Sequence, residues 1–307
     1  MPSGPLRHRA GAFSAFGTAI LAGALALTAC GQKKEDQGTP AGQSTPTAAA
    51  DSKLAAMVPA AIKSDGKITI GVDASYAPNE FLDTDGKTVI GWDRELFDAV
   101  AAKLGLKTTW VAGNFDAIIP GVQSGKYEAG VSSFTINAER LKQVNMVSYF
   151  NAGTQWSTKK GNPNGIQPAA ACGKKISVQK ATVQVDDITK KSKDCKSSGK
   201  PAITVDQYQG QDEATAAIVS GKDDAGLADS PVMAYAVKKT NGQLELLGQI
   251  YDAAPYGFVV QKDQQQFAQA VSQATQALIA DGTYKKILER WGVQAGAVAQ
   301  SSVNPTS

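Results

Sequence analysis

Histidine is almost missing from this sequence. The single one, His8, sits between two arginines at the start of an apparent leader. A mature chain without histidine excludes a Ser-His-Asp or Cys-His mechanism and any metal site built on imidazole. Cysteine is scarce too, at three in 307 residues. Charge of neither sign dominates: 31 Lys and Arg face 28 Asp and Glu, and without Arg7 and Arg9 the balance is 29 to 28. That balance removes the electrostatic case for nucleic acid. No glycine-rich phosphate loop is present, so any work this chain takes part in draws its energy elsewhere. No cofactor and no metal are expected. What is there, 42% hydrophobic and 19% charged residues, is the composition of a globular chain of one or two domains.

The first residues address the chain. Arg7 and Arg9 precede an uncharged stretch, Ala10 to Leu27, rich in Ala, Leu and Gly. A basic start followed by an apolar run reads as a secretory signal. The alternative, a transmembrane anchor, meets a stretch barely long enough to span. Leu27-Thr28-Ala29-Cys30 resembles the bacterial lipobox. It implies a signal peptide over 1–29 and acylation of Cys30 (palmitate among the chains), with several acyl groups giving a stable membrane anchor. Residues 30–60 then read as the lipidated cysteine and a flexible tether, polar and without apolar periodicity up to Asp51. The expected location is the extracytoplasmic face of the bacterial cell membrane. Cys172 and Cys195 remain; in an oxidising compartment an even pair is expected to form a disulfide, the alternative being two buried thiols.

Beyond the tether, hydrophobic patterning alternates between strand and helix. Lys67 to Val72 is a β-branched run, and Leu96, Phe97, Val100, Ala101 and Leu104 form a helical stripe. Lys107 to Val111 reads as a second strand. Asn114 is a candidate cap for a helix to about Ser124, with Pro120 predicting a kink or a later start. Glu128 to Ser132 reads as a third strand. The theme repeats in strands at Lys175 to Val178, Ala202 to Val205, Ala225 to Ala228 and Tyr256 to Gln261, with helices between and a long amphipathic one carrying Phe267, Val271, Ala274 and Leu278. This order predicts an α/β fold with parallel pairing. Residues 295–307 read as a flexible tail.

The stretch from Ser132 to Arg140 follows a buried strand and offers three hydroxyls, turning backbone and one arginine. Such a strand end suits a small polar ligand, and Arg140 is placed to hold a carboxylate in bidentate fashion. The plain alternative is a strand-to-helix turn with a surface arginine.

Several separated motifs together resemble the extracytoplasmic solute-binding proteins of ABC importers, in the polar amino acid family (family 3). Ile70 to Phe81 (IGVDASYAPNEF) resembles that family's opening strand and aromatic loop, and Gly91-Trp92-Asp93 its Gly-Phe-Asp. Phe115 to Ala129, Ser133 to Arg140, Val178 to Val183 and Ala228 to Pro231 follow in the family's order. Trp92 replaces Phe, Asn137-Ala138 replaces Thr-Pro, and Ala181 stands where glycine is common.

The resemblance implies a type II periplasmic-binding-protein-like fold. Lobe 1 would comprise 61–153 and 256–294, lobe 2 would comprise 154–255, and two strands would cross near Gly153–Thr158 and Ala253–Phe258. It also implies a site. Arg140 would clamp an α-carboxylate with help from Thr135, Thr182 and the backbone of Val183, at a helix start that favours anions. Asp229 would receive the α-ammonium, although an Asp at a strand end is as readily a helix cap. Ser133 and Thr135 would add oxygen acceptors. Tyr76 and Phe115 would sandwich the ligand, or serve as packing aromatics. Asp73, Asn79 and Lys180 would read its side chain, Asp73 favouring a basic or amide ligand and Lys180 the opposite.

The implied function is non-enzymatic: capture of a polar L-amino acid between the lobes and delivery to an ABC transporter permease, by a monomer. A cyclohexadienyl-type dehydratase and a ligand-sensing lipoprotein are the alternatives on the same fold.

Overall fold

A computed structural model describes residues 48–306. The expected signal peptide, Cys30 and most of the expected tether lie outside the described residues. Eleven strands occur among the described residues: β1 (Lys67–Val72), β2 (Ser75–Tyr76), β3 (Glu80–Leu82), β4 (Val89–Ile90), β5 (Lys107–Ala112), β6 (Ala129–Gly130), β7 (Val144–Lys159), β8 (Lys175–Gln179), β9 (Thr204–Tyr208), β10 (Ala225–Asp229) and β11 (Leu244–Gln261). Eight of them form one sheet in the order β5-β1-β6-β11-β7-β10-β8-β9. β2, β3 and β4 make a small antiparallel sheet of their own.

β7 and β11 organise the molecule. They pair antiparallel along most of their length, with register shifts between Leu247 and Tyr251, between Tyr251 and Ala254, and between Tyr256 and Gly257. Parallel strands β5-β1-β6 sit on one side of this pair, and β10-β8-β9 on the other. The two groups are the two lobes, and β7 and β11 carry the chain between them. Long β-branched and aromatic strands suit that role because each strand end packs into a different core.

The first core gathers Trp92, Leu96, Phe97, Tyr149, Phe258 and Phe267, all at 0% exposure, with the Tyr149 and Phe258 rings stacked 3.8 Å apart. Every residue of the predicted stripe Leu96, Phe97, Val100, Ala101 and Leu104 is buried in it, as are Phe267, Val271, Ala274 and Leu278. The second core surrounds Trp156, Ile176, Val178, Ile188 and Leu227. Beside it Cys172 is bonded to Cys195, joining the loop before β8 to the helix Val183–Ser197.

Three local expectations change. The chain leaves the tether earlier than residue 60: Asp51 caps Ser52–Ala56 through Lys53 and Leu54 N–H, and Leu54, Val58 and Ile62 are buried in the first core. Their spacing of four is a helical stripe, shortened by Pro59. The helix Phe115–Gln123 does not start late; it runs through Pro120 with Asn114 at its N-cap position, but Asn114 makes no side-chain cap bond, and the N–H of Phe115 donates to Asp73 Oδ2 at 2.9 Å. The C-terminal residues are docked. Val303 bridges to Val147, the Ser302 N–H donates to Ser148 Oγ, and Asn304 receives the Met146 N–H through its side chain. The Asn304 side chain and the backbone of Ser302 and Asn304 pair with groups along β7, which composition alone does not reveal.

Candidate functional site

A nearly closed cleft, with about 10 Å³ of free space between its walls, lies where β1, β6, β8 and β10 end, at the boundary of the lobes. Strand ends meeting helix starts leave backbone groups and short polar side chains pointing into one crevice. From the first lobe come Asp73, Tyr76, Phe115, Ser132, Ser133, Thr135 and Arg140; from the second come Gln179, Thr182, Val183, Gln184 and Asp229.

Arg140 is 8% exposed. Asn137 caps the short helix Ala138–Gln143 by accepting the Arg140 N–H at 2.9 Å, which fixes the arginine's direction. Its guanidinium donates to the Thr135 carbonyl at 2.7 Å and across the cleft to the Ala181 carbonyl at 3.2 Å. It also lies 5.4 Å from the centroids of Phe115 and Phe134, whose rings are stacked on each other. Burial lowers its pKa to about 10, so it stays a cation at neutral pH. Ala181 reaches it from a left-handed backbone, φ 63°. Glycine takes that conformation at no steric cost, which is the physical sense of a glycine preference there.

Asp229 precedes the helix Ser230–Lys239 but makes no side-chain cap bond. Its carboxylate is turned into the molecule instead. Oδ2 accepts from Tyr76 at 3.0 Å and Tyr256 at 2.7 Å, and Oδ1 accepts from Gln184 at 2.8 Å. Burial pushes its pKa up, while these donors and Arg140 pull against that.

Asp73 ends β1. Oδ1 accepts from the Ser75 N–H and hydroxyl, and Oδ2 from the Phe115 N–H and Gln179 Nε2. Burial raises its pKa as well. The bond from Gln179, at 2.9 Å, comes from the opposite lobe. The other amide atom, Gln179 Oε1, is buried without a partner.

Two residues expected at the side-chain end are elsewhere. Asn79 is wholly buried in the first lobe, accepting from Trp92 Nε1 at 2.7 Å and donating to Ser133 Oγ at 2.8 Å. Lys180 pairs with Asp116 at 2.7 Å, its side chain half exposed at the rim. Ser132 lines the cleft from within the stretch singled out for its hydroxyls, and Gln179 and Gln184 line it without having been singled out in the sequence. Gln179 falls inside a motif stretch, and Gln184 is the second residue of a helix whose start faces the cleft, so position was their only signal.

Residues 68–294 match the bacterial extracellular solute-binding proteins, family 3. This protein belongs to that family. A relative of this solute-binding protein is an arginine-binding protein of Corynebacterium glutamicum, 35% identical over 93% of each chain. Among solved structures, an ancestral arginine-binding protein bound to arginine is similar at a TM-score of 0.69 and 33% identity, covering 74% of this chain and 98% of its own. An ancestral amino acid-binding protein described as a precursor of cyclohexadienyl dehydratase is similar at 0.65 and 31%, covering 75% and 97%. The family and these relatives establish the two-lobed amino-acid-binding fold of this solute-binding protein. No helix among the described residues is long and apolar enough to cross a membrane.

Proposed function

We propose that this protein captures an amino acid with a cationic side chain, arginine foremost, and delivers it to the permease of an ABC importer while anchored through Cys30. The Arg140 guanidinium takes the α-carboxylate, aided by the backbone of Thr135 and Val183. Asp229 takes the α-ammonium, and Tyr76 and Phe115 flank the aliphatic stem.

The observation that carries the choice of side chain is the Asp73–Gln179 pair. A buried carboxylate and a buried amide oxygen without a donor together call for a cation with several N–H groups. A guanidinium offers five, more than an ammonium or an amide. Lys180 does not argue for an acidic ligand, because Asp116 holds it at the rim. The relatives named for arginine point the same way. Asp73 and Asp229 already accept hydrogen bonds at both oxygens, an arrangement for holding cations more than for moving protons, so the reading is a binder and not a dehydratase.

The test is a thermal-shift series with the twenty L-amino acids on protein refolded from denaturant. At about a thousandfold excess over Kd, linkage contributes about 4 kcal/mol, a rise of roughly 8–16 °C for a chain near this size. The largest rise is expected with arginine, and Asp73→Asn should weaken arginine more than glutamine. A larger rise with neutral or acidic amino acids than with arginine would overturn the choice of ligand.

A further inference from the structure

Directly behind the cleft, and not lining it, lies a pair of acidic side chains. Glu80 on β3 and Asp93 near the start of the helix Trp92–Lys103 are both at 0% exposure, and neither joins an ion pair among the described residues. Gly91 lets them meet. With φ 132°, it passes so close to the turn before Glu80 that a Cβ there would lie 2.0 Å from the Asn79 carbonyl oxygen.

Both carboxyls reach the same hydroxyl, Ser133 Oγ, at 3.1 Å from Glu80 Oε2 and 3.4 Å from Asp93 Oδ2, and two buried carboxylates so placed without a cation cannot both stay ionised, which calls for a proton on one of them. Their remaining bonds all go to the cleft floor or its support. The Ser133 N–H donates to Asp93 Oδ2 at 3.3 Å, and the Ser132 hydroxyl reaches Glu80 Oε1 at 3.4 Å. Tyr149 donates to Asp93 Oδ2 at 2.7 Å from β7. Ser133 itself is a non-glycine residue at φ 52°, a conformation that persists only where its surroundings impose it.

We infer that Glu80 and Asp93 share one proton at neutral pH and act as positioning residues, locking the Ser132–Ser133 turn into the shape that receives the ligand. This deepens the binding function proposed above and rests on it. Glu80 is the protonated partner: Asp93 Oδ2 accepts from the Tyr149 hydroxyl at 2.7 Å and the Ser133 N–H at 3.3 Å, donors that hold it ionised, while burial and the facing Asp93 charge push the Glu80 pKa up. A neutral carboxyl donates to Asp93 and accepts from Ser133, and a glutamine amide can do both.

The experiment measures L-arginine binding by calorimetry at pH 7.5 for the wild type, Glu80→Gln and Glu80→Ala, with infrared spectra of the wild type and Glu80→Gln. Glu80→Gln should keep Kd within threefold, and Glu80→Ala should raise it at least tenfold while still melting cooperatively. The wild-type spectrum should contain a protonated-carboxyl carbonyl band that Glu80→Gln loses. A tenfold loss in Glu80→Gln, or no such band in the wild type, would overturn the shared proton. Unchanged binding in Glu80→Ala would overturn the positioning role. If Glu80→Ala does not fold, the glutamine variant and the infrared band still decide. No binding of arginine by the wild type would count against the ligand assignment instead, since the infrared band is read without ligand.

Discussion

Lys180→Ala separates a rim latch from a ligand contact. Lys180 belongs to lobe 2 and reaches Asp116 of lobe 1 at 2.7 Å; Gln209, also of lobe 2, donates to the other oxygen of the same carboxylate at 3.1 Å. The Lys180 side chain is 51% exposed and that of Asp116 28%. At that exposure the pair contributes about 0.2–1 kcal/mol after solvent screening. The pair joins the lobes only where they meet, so its loss should fall on the ligand-bound closed form. It should raise the Kd for arginine about 1.4- to 5-fold, mostly through faster dissociation. Raising salt from 0.05 to 0.5 M should erase most of the difference. Stopped-flow dissociation and calorimetry on Lys180→Ala, Asp116→Asn and the double variant measure the coupling. A loss of thirtyfold or more in Lys180→Ala, undiminished in the Asp116→Asn background, would mean that Lys180 touches the ligand, and the latch argument would be wrong.

Other consequences are as direct. Arg140→Ala should cost about 3 kcal/mol of binding, roughly a hundredfold in Kd by calorimetry, since charge-assisted bonds in a buried site are among the stronger ones. Acidification should weaken arginine binding. Asp229 and Asp73 have raised pKa values, and protonating either removes an anion that the cationic groups need. The same raised values have the opposite sign for the stability of the closed fold itself: their stabilising contribution is full below 3.8 and is lost as pH rises through the raised values, so the ligand-induced rise in Tm should shrink on the acid side. Reducing Cys172–Cys195, which closes a separation of 23 residues, should cost about 3 kcal/mol in urea unfolding. Gly91→Ala should destabilise by at least about 3 kcal/mol by the same assay, since both its φ and the Asn79 carbonyl forbid a side chain.

The alternation of strand and helix was legible because each element buries one regular face, and the residues of those faces are the ones found in the two cores. Cleft residues at strand ends and helix starts, such as Arg140, Thr135 and Asp229, were legible because a short motif fixes both the element and where it stops. Side chains whose partners lie far along the chain were not. Asn79 resembles a ligand contact until Trp92 and Ser133 are seen to use both ends of its amide. Lys180 resembles one until Asp116, 64 positions earlier, is found beside it. The docking of Asn304 on β7 depends on backbone groups that no periodicity marks.

The direct bonds between the lobes bear on why closure would wait for a cation. Tyr76 to Asp229, Gln179 to Asp73, Arg140 to the Ala181 carbonyl and the Gln211 N–H to Ser75 Oγ all cross the cleft. They favour the closed arrangement with or without a ligand. Against them stands the burial of Asp73 and Asp229, which removes water from two carboxylates and shows itself in both raised pKa values. That cost is largest when the lobes meet and small when they part. In the proposed complex an ammonium on Asp229 and a guanidinium on Asp73 would offset it only in the closed form. A ligand shifts an equilibrium by no more than its difference in affinity for the two states, and here that difference is electrostatic. On this reading a neutral side chain leaves the Asp73 cost uncompensated, so selectivity for a cation and ligand-driven closure come from the same two carboxylates.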